Sequence, residues 1–295
     1  MIWNKNQFNR YVTALLRKMP WPIKRKVLNQ RPAFSNSNAD NVVVVLCHPR
    51  QYLEGFWSLW SWMRFLNEYA KPVLLIDGHI NKKIKNYFLK LFPNGDLVSL
   101  SDLIREKTID ARLLPFLKHS RFGMKLIAVN ILQQKYNVLY SDSDVLALNS
   151  PEDIISNMCS GSKTPAFLYD EIGYPVDPWI KKRASEVQVE INANFNAGLV
   201  WLPRNTISQS LFASLLEKWD PKFDTYQTEQ TLFSALVSSA NGISLPVKTN
   251  VLSWQGVWFY ENDIPCSGIQ TRHYVGPVRH RMYLTAYPWI LSRNT

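Results

Sequence analysis

The chain has 295 residues, 46% of them apolar, 13% aromatic and only 19% charged, which excludes a disordered or fibrous protein and allows one large α/β domain with extensions. Its formal charge of +11 sits at the ends: residues 1 to 32 carry eight bases and no acid, and the stretch from 271 onward adds Arg272, Arg279, Arg281 and Arg293, again with no acid. The 22 bases and 23 acids in between make the body near neutral, so the distributed phosphate binding of a nucleic-acid protein is not expected.

Cys47, Cys159 and Cys266 lie far apart with no CxxC pair, which argues against a disulfide framework or a zinc–thiolate site and suits a reducing compartment. No run approaches about 20 apolar residues, and the N-terminus lacks the apolar core and cleavage site of a signal peptide. A cytoplasmic location, or one peripheral to the membrane's cytoplasmic face, is expected.

In "NQFNRYVTALLRKM", Phe8, Tyr11, Val12, Leu15, Leu16 and Met19 recur at helical spacing, and "PWPIKRKVL" adds Trp21 and three consecutive bases. An acid-free amphipathic helix of this kind suits an anionic membrane surface; packing on the body accounts for it equally well. "NQRPAFSNSNAD" reads as a linker. Apolar runs then alternate with helical segments. "NVVVVLC", "KPVLLIDG" and "GDLVSL" read as strands, "GFWSLWSWMRFLNEY", "KKIKNYFLKLF" and "SRFGMKLIAVNILQQKY" as helices. "NSPEDIISNM" opens a further helix, with Ser150 as N-cap and Pro151 at its first position. "PAFLYD" and "NAGLVWLPR" read as strands and "YQTEQTLFSALVSS" as a helix. The pattern predicts a mostly parallel sheet with helices on both faces, whose ligands bind beyond the carboxyl ends of the strands.

At one such end stands "NVLYSDSDVLAL". In a continuing strand Asp142 and Asp144 face opposite sides, so both reach one cation only if the backbone turns there. Mg²⁺ and Mn²⁺ take such oxygen ligands and share their other positions with phosphates.

This arrangement resembles the GT-A fold of nucleotide-sugar glycosyltransferases, and within it the retaining nucleotide-diphospho-sugar transferases of family eight. The resemblance implies a Rossmann-like α/β domain over residues 41–285. The basic arm 1–32 and the linker 33–40 would precede it, and a tail, 286–295, would follow. It also implies a D-x-D that holds a metal on the donor's diphosphate, with Asp144 a direct ligand and Asp142 reaching the metal or the donor ribose. In "SRFGMK", Lys125, with Arg121 second, would face the donor phosphates or sugar, the alternative being solvated helix charges. "FNAGLVWLPR" is similar to the family's N-x-G segment, in which Asn196 would bond a sugar hydroxyl and Gly198 would let backbone approach the ligand; a plain turn is the alternative. In "YQTEQTLF", Glu229 and Gln230 stand where the family usually has D-Q. "HYVGPVRHRMY" is similar to its H-x-x-G-x-x-K, so that His273 would complete the metal site while Gly276 and Arg279 meet the diphosphate. Arg50 and Tyr52 in "CHPRQYLEG", and Asp77, would face the nucleotide.

The implied activity is Mn²⁺- or Mg²⁺-dependent hexosyl or pentosyl transfer, with retention, from a nucleotide sugar, a UDP-sugar before others. Glu229 is the carboxylate that would serve an inverting route instead. The acceptor would be a cell-surface glycan or glycolipid, with Trp254, Trp258 and Tyr260 stacking on it or packing in the core. Two other classes compete. One is a nucleic-acid binder that uses the basic ends. The other is an aspartyl phosphatase with D-x-D, but that motif normally lies on the first strand and has Thr or Val where this chain has Leu146.

Overall fold

The computed structural model describes residues 5–18, 22–105, 109–120, 122–252 and 264–293. Ten strands form two sheets: β1 (Asn41–Cys47), β2 (Ala70–Ile76), β3 (Asp96–Ser99), β4 (Asn137–Asp142), β5 (Val145–Ala147), β6 (Ala166–Tyr169), β7 (Phe195–Leu202), β8 (Ile243–Ser244), β9 (Asn250–Leu252) and β10 (Thr271–His273). The larger sheet has the order β3-β2-β1-β4-β7-β6-β8, and the smaller β5-β10-β9. Only β7 runs against its neighbours in the large sheet. This is the expected mixed, mostly parallel α/β architecture.

The valine run of β1 shows why the sheet is central. Val43 and Val45 belong to one apolar cluster and Val42 and Val44 to the other, all fully buried, as the two-residue period of a strand covered on both faces demands. One layer holds the helix Tyr52–Leu66, whose sides are nearly all buried. The opposite layer holds the helices Gly123–Gln133, Pro178–Glu186, Gln209–Leu215 and Thr228–Ser238.

One sequence reading, the capping of the helix after β5, needs correction. The helix after β5 starts at Glu152, with Pro151 rather than Ser150 in the cap position. No side chain caps it; the Pro151 carbonyl accepts from the Ile154 and Ile155 amides, which places proline outside the first turn. The division at residue 32 does not coincide with a break in packing, since Val27 and Leu28 are buried in the core. Inside that basic run the Lys24 ammonium meets Glu54 at 2.8 Å, and the Tyr283 hydroxyl donates to the same carboxylate, so this base is internal. Beyond 286, Tyr287 stacks on Trp57 at 4.3 Å, and Ile290 is fully buried.

Candidate active site

The chain turns at Ser143 and Asp144 between β4 and β5, which is what the paired carboxylates require. The turn is pinned from the sheet side by the helix Tyr52–Leu66. The Ser58 hydroxyl donates to the Val145 carbonyl at 2.7 Å, Trp62 Nε1 donates to Ser141 Oγ at 3.0 Å, and the Ala147 amide donates to Ser61 Oγ at 3.0 Å. Beyond the turn, β5 pairs antiparallel with β10, setting Val145 opposite His273, and the Tyr274 amide donates to the Asp144 carbonyl. The second sheet thus carries Asp144 and His273 to one place.

Asp142, Asp144 and His273 offer ligand atoms that all lie within 4.8 Å of one another. His273 Nε2 is 3.3 Å from Asp144 Oδ1, and the Arg279 guanidinium pairs with Asp144 Oδ2. His273 Nδ1 lies 2.9 Å from Asn196 Oδ1, an oxygen that also accepts from the Gly198 amide at 2.9 Å. The Gly198 N–H fixes which end of the Asn196 amide faces the ring, so Nδ1 carries the proton and Nε2 its lone pair. Burial pushes the His273 imidazole down to about 4, the nearby Asp142 charge opposing this only in part, so the ring is neutral near pH 7. A lone pair and a carboxylate oxygen then face each other at 3.3 Å, two acceptors that would both serve as ligands to a divalent cation. Two carboxylates and an imidazole at this separation could hold a divalent metal ion.

A second group adjoins the first. Lys125, on the helix Gly123–Gln133, is buried with its ammonium 3.3 Å from Asp142 Oδ1 and 3.2 Å from Glu229 Oε1, and 4.8 Å above the Tyr140 ring. Burial works against its charge, but the two carboxylates outweigh it and its pKa is raised. Burial likewise raises Glu229, with Lys125 opposing. The Tyr140 hydroxyl donates to Asp142 from the same face of β4, and burial holds that phenol protonated. Gln230 Nε2 donates to the Phe195 carbonyl at 2.9 Å.

These groups line one cavity of about 470 Å³ at the carboxyl edge of β4. Of the residues singled out in the sequence, Lys125, Asp142, Asp144, Asn196, Gly198, Glu229, Gln230, His273, Gly276 and Arg279 line it. Arg50, Tyr52 and Asp77 do not. They follow β1 and β2 on the same sheet edge but farther along it: Asp77 is exposed, and Tyr52 packs edge-on against Phe56 at 5.4 Å. Arg121, Trp254, Trp258 and Tyr260 lie outside the described residues. The sequence reading missed Asp170, a buried carboxylate in the lining whose Oδ1 accepts from the Ile172 and Gly173 amides. Its signal was the one that marked Asp142, a carboxylate directly after an apolar strand. It also missed the aromatic rim, where Tyr226, 75% exposed, meets the Phe122 ring edge-on at 6.1 Å.

Among solved structures, the chain is similar to the WbbM bifunctional glycosyltransferase, with a TM-score of 0.54 and 14% identity over 86% of this chain and 51% of that one. It is similar to the galactosyltransferase LgtC in complex with donor and acceptor sugar analogues, with a TM-score of 0.52 and 13% identity over 85% and 95%. The same holds for the glycosyltransferase GlyE of Streptococcus pneumoniae TIGR4, with a TM-score of 0.50 and 18% identity over 87% and 63%. The chain has the GT-A fold. It spans about half the length of the WbbM chain and nearly all of the LgtC chain. No family model and no curated protein matches it.

Proposed function

We propose that the chain transfers a sugar from a nucleoside-diphosphate donor to an acceptor hydroxyl. The observation that carries this reading is the convergence of Asp142, Asp144 and His273 with Arg279 in one cavity at the carboxyl edge of a GT-A sheet. Asp142, Asp144 and His273 would hold a divalent cation, which would supply positive charge against the donor's diphosphate. Arg279 offers a planar fork to the same phosphates, tethered through Nε to the Tyr274 carbonyl at 3.3 Å. Gly276, at φ +39°, lets the backbone bend beside it.

Asn196 acts on this chemistry through His273, since its amide oxygen is committed to the ring and to Gly198. Lys125 is committed in the same way, holding Asp142 and Glu229 so that neither carboxylate swings. With Glu229 bound to Lys125 and an Asp170 oxygen bound to two amides, neither stands out as a base for inversion, which supports retention. The rim of Tyr226 and Phe122 presents flat faces at the end of the cavity that carries Glu229, which suits a glycan or glycolipid acceptor. Galactosyl transfer by LgtC and the Mn/GDP form of the Aspergillus fumigatus core-mannan synthase are properties of those proteins. For this chain a UDP-sugar and Mn²⁺ are the first pair to try.

The test is a thermal-shift and hydrolysis screen of UDP-, GDP- and CDP-sugars with Mn²⁺ or Mg²⁺. Metal-dependent donor hydrolysis that disappears in Asp144→Ala, with an unchanged circular-dichroism spectrum, is the expected result. Full turnover by Asp144→Ala in chelator-treated buffer overturns the assignment.

A further inference from the structure

We propose that the N-terminal helix Lys5–Lys18 and the basic turn after it form a docking surface for an anionic lipid bilayer, set at the rim of the cavity. The helix is fixed on the body through Thr13 and Leu16, which are buried, and Val12, which packs against the core. The neighbouring strip presents Tyr11, 56% exposed, and Leu15, 48% exposed, one helical turn apart. Two large apolar side chains side by side on a helix that has already spent its inner face on packing are what shallow insertion into a headgroup layer requires.

The charge beside this strip chooses the partner. Lys24 is turned inward onto Glu54, but Arg25, Lys26 and Arg31 are exposed, and the first 32 residues hold no acid. Residues 33–270 are near neutral, so the positive potential is confined to the ends and matches a flat anionic surface better than a duplex, whose phosphates need a track of bases. Neither feature suffices alone, since stable attachment takes an apolar and an electrostatic contribution together.

The position of the helix adds a functional consequence, which rests on the sugar-transfer reading. It packs against the turn Gly276–Val278, and Gly276 and Arg279 line the cavity. A bilayer bound at the helix therefore lies beside the cavity, and a lipid-linked acceptor enters from the membrane plane.

The experiment is co-sedimentation of the full chain with vesicles of phosphatidylcholine alone and of phosphatidylcholine mixed with phosphatidylglycerol. Binding to the mixed vesicles only, released by high salt, is expected. The exposed-site pairs Tyr11→Ser with Leu15→Ser, and Arg25→Glu with Lys26→Glu, should each lower the bound fraction by about tenfold. Three results overturn the proposal: no binding by the wild type, binding unchanged in both paired variants, or equally tight binding to duplex DNA, which would make the segment a general polyanion site. Donor hydrolysis by the same preparations reports on the cavity separately, so a failure there leaves the vesicle result standing.

Discussion

A Cβ added to Gly198 would stand 2.2 Å from Cε1 and 2.5 Å from Nδ1 of His273. Gly198 lies on β7 of the large sheet and His273 on β10 of the small one, so the glycine is the gap through which the imidazole of one sheet reaches the carboxylates at the edge of the other. Gly198→Ala should displace the ring. The expected result is a fall of about 10–100-fold in Mn²⁺ affinity, as for loss of a metal's supporting contacts, with a stability loss of about 1–3 kcal/mol from overpacking. Calorimetric Mn²⁺ titration and urea unfolding measure the two; wild-type metal affinity in this variant contradicts the geometry.

Asn196 is the orienting partner of that ring. Asn196→Ala removes the acceptor at Nδ1 and frees the ring to flip or change tautomer, so metal affinity should fall by about tenfold or more, while Asn196→Asp keeps an oxygen in place and should retain most of it. Ranking the two variants by Mn²⁺ titration separates an orienting role from one in which Asn196 touches only the sugar, for which both variants would bind metal normally.

The same imidazole sets a pH dependence. Its pKa of about 4 in the folded chain lies below the 6.5 of an exposed histidine, so the unfolded chain takes up the proton first. The stability linked to His273 is therefore complete above pH 6.5 and is lost as the pH falls toward 4, by about 3 kcal/mol at most. Melting temperatures of the metal-free chain across that window should drop steeply, and His273→Gln should flatten the curve. An equal slope in both proteins rejects the assignment.

Glu229 and Gln230 depend on a carboxylate outside the cavity wall. Asp177, almost fully buried, accepts from the Trp179 and Ile180 amides through Oδ1 and from the Thr225 and Thr228 hydroxyls through Oδ2, so it ties the turn before one helix to the residue before Glu229. Asp177→Ala leaves buried donors unsatisfied and should cost about 2–4 kcal/mol in urea unfolding, with Asp177→Asn milder because it keeps the Oδ1 bonds.

What was legible in the sequence followed from periodicity. The valines of β1 announce a strand buried on both faces, and the apolar run ending in Asp142 announces the edge where ligands gather. Pairings between distant segments have no period. Nothing near Gly198 says that its missing side chain makes room for His273, and nothing near Lys125 says that Glu229 will meet it. Lys24 reads only as one base of the N-terminal run, because its partner, Glu54, lies 30 positions away. Arg50, Tyr52 and Asp77 follow β1 and β2, and the sequence does not say how far along the sheet edge the cavity extends. Asp170 carries the same signal as Asp142 and Asp77, a carboxylate directly after an apolar strand, and only the fold shows which of these strand ends face the cavity.

Lys125 and Glu229 give the sharpest energetic test, because both are buried and each is the other's neighbour. Lys125→Met leaves the buried Glu229 and the half-buried Asp142 without their cation, and losing one partner of a buried pair such as Lys125–Glu229 costs about 3–5 kcal/mol. Glu229→Gln removes one charge but leaves Lys125 with Asp142, so its cost should be smaller. The double variant Lys125→Met with Glu229→Gln removes the uncompensated charge at Glu229 and should recover part of the loss, giving a coupling of about 1–3 kcal/mol in a urea double-mutant cycle. Asp142 remains without Lys125 in both lysine variants, so the recovery should be incomplete, and Mn²⁺, which supplies charge beside Asp142, should raise the melting temperature of the double variant more than that of the wild type. Additive single-variant losses would mean that Lys125 serves Asp142 alone and that Glu229 sits at the helix start for a reason other than this pair.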